Sequence, residues 1–326
     1  MNKNIKLIIN YLLGPLLFIL LSWSLYKQII HQQDLSLRWE EIKHSWANPK
    51  FWFVFILMFL NWGIEAAKWK QLISPLERLS FFTSFKSVLA GCSITMLTPN
   101  RIGEYGGRIM YIKEEHRIKA ISLTILGSIS QLTITMLMGT AGLLVLHGAL
   151  PETGKPLHSL PWLLNNVILY VSLIVTVILL LLYFKVHFFL QLLGKIKLIK
   201  GIMKYIDVVD IFSGKQLLRI LILSFLRYMV FILQYVLLLQ VMGAHIPIAT
   251  CFWVLTVFYL TMALLPTAGF IELPVRATAS AELLGVYSAN ILGIQAATFG
   301  IWLINLVIPA IAGSLLIFGI KIMKER

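Results

Sequence analysis

Two stretches of this sequence hold charged residues at spacings that could do chemistry. Residues 96–108 read MLTPNRIGEYGGR and residues 263–276 read ALLPTAGFIELPVR. Each follows an apolar run, breaks at a proline (Pro99, Pro266), passes a glycine (Gly103, Gly269), and sets a Glu four residues before an Arg. A proline lacks the N–H that would continue a helix and clashes with the preceding turn. The helix that restarts beyond it points a positive N-terminal dipole into the break, where an anionic group can bind. Glu104 with Arg108, and Glu272 with Arg276, lie at i and i+4, so each pair shares one helical face. Such an arrangement favours recognition of an anionic or zwitterionic group. A general base acting on a lipid-linked substrate, with Glu104 or Glu272 in that role, is the enzymatic alternative.

Other polar residues lie in apolar surroundings. Asn61, Glu65 and Lys68 are spaced to share a face of one apolar segment, and Arg227 interrupts the run 217–242. Arg227 reads either as a headgroup-binding cation, as a partner for an acid such as Glu272 or Glu282, or as a side chain snorkelling to the interface. Arg101, Glu104, Arg108, Glu272, Arg276, Arg227, Asn61 and Glu65 are the candidate substrate-binding residues. Pro99, Gly103, Pro266 and Gly269 shape the hairpins that carry them. The sequence holds no H-E-x-x-H, Walker loop, G-x-S-x-G elbow or dinucleotide fingerprint. Its seven histidines are scattered and its two cysteines, Cys92 and Cys251, sit in apolar sequence as packing thiols. No metal or cofactor is expected.

The elements that position these residues follow from composition. Of the 326 residues 59% are hydrophobic and 13% charged, and mean hydropathy is +0.85, against about 25% charged residues in an ordinary soluble domain. The apolar blocks 8–30, 51–64, 162–184, 217–242 and 291–320 reach or approach the roughly 20 residues that span a bilayer. Alternating strands of a β-barrel are absent. Residues 1–30 carry too long an apolar run for a signal peptide and read as a retained first helix.

The net charge of +14 does not point to nucleic acid. With a cytoplasmic N-terminus, 21 of the 28 Lys and Arg fall in 1–6, 68–86, 101–119, 185–219 and 321–326, all on the inner side. That asymmetry orients a membrane protein, with both termini cytoplasmic. Crossing helices are expected at about 8–30, 51–73, 120–146, 162–184, 217–242 and 290–320. The segments 81–117 and 248–286 fit this orientation only as re-entrant hairpins, one dipping from each side. Irregular backbone at membrane depth is tolerated where it is buried in protein or lines a cavity, so the two hairpins are where a site belongs. The expectation is an all-α polytopic membrane protein, a single transmembrane domain over 1–326. It has about six crossings and two hairpins in an inverted repeat (about 51–146 and 217–320), with 185–216 a cytoplasmic amphipathic segment.

The run Pro99, Arg101, Gly103, Glu104 and Arg108 resembles the first motif of the lysylphosphatidylglycerol synthase transmembrane-domain family, also described as flippase-like membrane proteins. Pro266, Gly269 and Glu272 are similar to its second motif, and the span pattern matches over nearly the whole chain. Arg108 stands one place further from Glu104 than the family pattern, and Thr267-Ala268 replaces a usual glycine pair. The aminoacyl-transfer domain of the bifunctional members is missing from this sequence, so the transferase activity is not carried over. The resemblance implies a bacterial cytoplasmic-membrane protein that moves or binds a phospholipid or polyprenyl-linked lipid. Its expected partners are membrane lipids, anionic phospholipid above all, and homo-oligomerisation stays open. A scaffold that binds lipid without transporting it is the further alternative.

Overall fold

The computed structural model describes residues 23, 26, 35–98, 103–148, 162–185, 205–265 and 272–324. All regular structure among them is helical. The helices are α1 (Leu35–Lys43), α2 (Pro49–Ile73), α3 (Phe81–Leu97), α4 (Gly103–Ile109), α5 (Arg117–Gly148), α6 (Trp162–Phe184), α7 (Gly214–Val241), α8 (Ile248–Leu264), α9 (Glu272–Leu284), α10 (Ile291–Trp302) and α11 (Ile308–Lys324).

Local sequence sets many of these boundaries. Asn48 accepts from Lys50 N ahead of Pro49, which starts α2 where its missing N–H costs nothing. Ser80 accepts from Thr83 N to open α3. Ser213 and Gln216 form a reciprocal capping box on α7. Asn290 accepts from Gly293 N at the start of α10. A π-turn, Leu303–Val307, joins α10 to α11. Pro309 has no N–H to return to the Asn305 carbonyl, which accounts for the widened turn.

Five helical stretches among the described residues are long and apolar enough to cross a membrane: α2, α5 with the turn before it, α6, α7, and α10 running into α11. The first expected crossing, 8–30, lies outside the described residues apart from Trp23 and Tyr26. The two segments expected to dip, α3 and α8, are 17 residues each. At 1.5 Å per residue each reaches about 25 Å, short of a ~30 Å hydrocarbon core. Residues 186–204, the basic part of the expected amphipathic segment, lie outside the described residues. In the part that follows, the turn Asp207–Ile211 and just beyond it, Val208, Val209 and Phe212 are buried in the main core.

Packing follows a reciprocal order. The first long helix of each half, α2 and α7, lie side by side; α3 packs on α2 and α4, and α8 on α7 and α9. Then the halves exchange partners, with α11 against α3 and α5 against α8. Both exchanges depend on glycine. A Cβ at Gly142 would meet Thr256 Oγ1 at 2.0 Å, and one at Gly313 would meet the Leu89 carbonyl oxygen at 2.0 Å. In membranes, where apolar burial gives little drive between helices, such close backbone approach supplies much of the packing energy.

The seam between α2 and α7 is antiparallel and fastened along its length. Lys50 Nζ donates to Gln240 Oε1 at 2.8 Å, Gln234 Nε2 to the Val54 carbonyl at 3.0 Å, and Arg227 Nε to Asn61 Oδ1 at 3.0 Å. Further along, Lys68 Nζ reaches Ser224 Oγ at 3.4 Å. The outward faces carry Trp52, Phe53, Ile56 and Phe59 on α2 and Tyr170, Ile174, Val177 and Leu181 on α6, all exposed. In a membrane these are lipid-facing surfaces.

Candidate functional site

The first motif folds back on the helix that precedes it. Thr98 Oγ1 accepts from Gly103 N at 2.8 Å, capping the start of α4. Gly103 and Gly107 then lie flat on α3: a Cβ at Gly103 would meet the Ile94 carbonyl oxygen at 2.3 Å, and one at Gly107 the Ala90 carbonyl oxygen at 2.4 Å. At its far end Ser87 Oγ donates to the Arg108 carbonyl at 2.8 Å. This close seating sends the Arg108 side chain inward.

Arg108 arrives at a carboxylate on another helix. One of its terminal nitrogens bonds Glu65 Oε1 at 2.6 Å, and the same nitrogen bonds Glu104, its i−4 neighbour. The other oxygen of Glu65 is held by Lys68 Nζ at 2.8 Å and by an Arg227 terminal nitrogen at 3.0 Å. Asn61, which accepts from Arg227 Nε, donates through Nδ2 to Asn305 Oδ1 at 3.0 Å. Aromatic faces complete the enclosure: Arg108 lies 5.2 Å from the Trp69 ring, and Arg227 lies 5.4 and 5.3 Å from Trp62 and Phe231. Cation–π contacts of this kind gain strength when the cation is desolvated.

The network draws on α2, α4, α7 and the π-turn. On α2 it runs from Asn61, the thirteenth of 25 residues, to Lys68, the twentieth, and on α7 it takes Arg227, the fourteenth of 28. The side chains of Glu65, Lys68 and Arg108 are 3%, 2% and 3% exposed, while those of Arg227 and Glu104 are 14% and 23% exposed. Approach from outside therefore meets Arg227 and Glu104 first. Three cations face two carboxylates, which leaves one positive charge in excess when all five are ionised.

The second motif makes a smaller site. Arg276 donates through Nε and a terminal nitrogen to Glu272 Oε1 at 2.9 and 2.8 Å. Both side chains are partly exposed. Tyr259 packs on Tyr228 and Phe231, ring centroids 5.8 and 6.3 Å away. An aromatic path thus runs from Tyr259 to the ring beneath Arg227.

The expected i, i+4 pairs form in both motifs, and Asn61, Glu65 and Lys68 share the buried face of α2. Of the readings offered for Arg227, an acid partner forms: it stands well inside α7 and pairs with Glu65, not with Glu272 or Glu282. The helix also begins at Gly214, so Arg227 lies more than three turns in, with a partner in reach and no need to snorkel. Arg101, Pro99, Pro266 and Gly269 lie outside the described residues. Asn305, Ser224 and the aromatic faces escaped the sequence reading; a lone Asn or Ser in an apolar run was the only signal they gave.

Residues 8–313 match the family model described as the lysylphosphatidylglycerol synthase TM region. The chain belongs to that family. Comparison with curated proteins and with solved structures finds no match. Family and fold together make this an all-helical, multi-pass membrane protein of lipid-related kind.

Proposed function

We propose that this chain is a flippase-like lipid translocase. A phospholipid or polyprenyl-linked lipid presents its headgroup to the polar cluster between the two Pro/Glu/Arg hairpins while its acyl chains stay in the bilayer. The observation that carries this reading is the excess of one positive charge in the network around Glu65, set within the span of α2 and α7. By insertion scales a buried charge at membrane depth costs roughly 2.5–3.5 kcal/mol when unpaired. A headgroup phosphate meets that cost by supplying the missing anion, and the partly exposed Arg227 is the group that receives it. Arg276 is the corresponding cation of the second hairpin, with Arg101 at the break of the first. Glu104 and Glu272 hold their arginines in place between passages.

The shared order of elements in the two halves supports an internal repeat. Long helix, 17-residue helix, short helix and long helix occur twice, and α11 on α3 answers α5 on α8. Two related halves that exchange partners around a central charge cluster are suited to opening alternately to the two leaflets.

The test is reconstitution into liposomes containing a fluorescent phospholipid whose outer-leaflet fraction is bleached by an impermeant reductant. The protein should carry inner-leaflet label outward well above empty liposomes, and Glu104→Gln and Glu272→Gln should each slow the process at least tenfold. Full rates in both variants would remove these residues from the site. A wild-type rate equal to that of empty liposomes would leave a lipid-binding scaffold.

A further inference from the structure

The charge excess around Glu65 can be cancelled in two ways: an anion enters, or a cation gives up a proton. Arginine does not deprotonate at any accessible pH, so Arg108 and Arg227 stay charged. Lys68 is the one cation of the network that can become neutral. We infer that binding of an anionic headgroup and protonation of Lys68 are coupled, one proton entering for each negative charge bound. The inference rests on the lipid-translocase reading and adds to it a proton requirement.

The surroundings of Lys68 suit both of its forms. From its own helix Glu65 Oε2 faces it at 2.8 Å. From α7 come Arg227, which shares that carboxylate, and Ser224 Oγ at 3.4 Å. From α4 come Arg108 and, through it, Glu104. α5 brings the neutral Ser130 and the π-turn the neutral Asn305, while Lys86 of α3 is exposed. Ser224 and Ser130 stand 2.8 Å apart with either able to donate, and Ser130 also reaches the Gly127 carbonyl at 2.7 Å. With Lys68 as an ammonium, it donates to Ser224, Ser224 to Ser130, and Ser130 to Gly127. With Lys68 as an amine, the Ser224 hydroxyl turns and donates to the nitrogen lone pair. The Ser224 and Ser130 hydroxyls keep a partner in either state, which lowers the cost of a change of charge in a dry site.

The step is a simple protonation. The amine lone pair of Lys68 takes a proton from the aqueous phase, an N–H bond forms, and the incoming anion balances the new charge. Empty and loaded sites then carry the same net charge, so the cluster is never left with an uncompensated one.

Dioctanoylphosphatidylglycerol is the probe, because its phosphodiester keeps one negative charge across the pH range used. Titrated into the detergent-solubilised protein in lightly buffered solution, it should draw up to one proton per molecule bound. Its affinity should fall about tenfold per pH unit over the range in which the empty site holds a neutral Lys68. Lys68→Arg should bind with no pH slope, and Lys68→Met should bind at least tenfold more weakly at low pH, also without slope. Wild-type binding without proton uptake at any pH, or a Lys68→Arg protein that keeps the slope, would overturn the coupling. Absence of binding by the wild type would overturn the lipid reading beneath it. Should either variant fail to fold, proton uptake by the wild type still decides. Competition by inorganic phosphate at one fixed pH separates the two sources of the anion: displacement at low millimolar concentration would assign the site to free phosphate and overturn the headgroup.

Discussion

Arg227 and Glu65 meet at 3.0 Å across the antiparallel seam of α2 and α7. The contact joins the second half of the chain to the first. Glu65 also receives Arg108 from α4 and Lys68 from its own helix, so a single carboxylate gathers three cations from three elements. Removing it affects all of them together.

Glu65→Gln should be among the most destabilising substitutions in the chain. It leaves Lys68, Arg108 and Arg227 with only Glu104, and breaking a buried ion pair by removing one partner costs about 3–5 kcal/mol. Thermal unfolding in detergent, followed by tryptophan fluorescence, should show a large drop in midpoint. A midpoint within a degree or two of the wild type would mean that the cluster is hydrated and not buried.

Arg227→Lys keeps the charge but not the fork. Arg227 holds Asn61 with Nε and Glu65 with a terminal nitrogen at once, and a single ammonium cannot reproduce that planar pair of contacts. Lipid movement in the liposome assay should fall at least tenfold while the protein remains folded. Equal rates for arginine and lysine would show that only charge is needed at this position.

Two adjacent glycines of the first motif should behave oppositely. A Cβ at Gly107 would meet Ala90 and Gly91 backbone atoms at 2.4–2.5 Å, whereas one at Gly106 would meet nothing within 4 Å. Gly107→Ala should destabilise by about 1–3 kcal/mol through overpacking. Gly106→Ala should be neutral or stabilising by up to about 1 kcal/mol through helix propensity. Melting temperatures of the two variants, side by side, check the seating of α4 on α3.

Orientation is open to a labelling experiment. Glu40 and Glu115 are both exposed, one on α1 before α2 and the other in the turn before α5. If the basic segments face inward, an impermeant thiol reagent should modify Glu40→Cys in intact cells and Glu115→Cys only after permeabilisation. The native Cys92 and Cys251 are buried and should contribute little background. The reverse pattern would invert the topology.

Much of the fold is legible in the residues themselves. Helix starts at Ser80, Ser213 and Asn290 are written in capping side chains that satisfy the first free N–H groups locally, and such contacts depend only on near neighbours in the chain. The length and apolar character of α2, α6 and α7 follow from composition in the same way. Pairs at i and i+4, Glu104 with Arg108 and Glu272 with Arg276, are also local geometry. For that reason both were within reach of spacing alone.

Tertiary structure decided what those pairs serve. Glu65 and Arg108 are 43 positions apart, and Arg227 and Asn61 are 166 apart. Nothing in local spacing ranks Glu65 above Glu272 or Glu282 as the partner of Arg227, because the choice depends on which helices lie side by side. Asn305 joined the network through a π-turn set by a proline four residues later. The two Pro/Glu/Arg motifs with which the chain announces itself are therefore only half of the candidate site. The sequence determined that charges would be kept within long apolar helices. Packing of α2 against α7 determined that they would gather around one carboxylate, since a buried charge takes its partner from whatever the fold brings within about 3 Å.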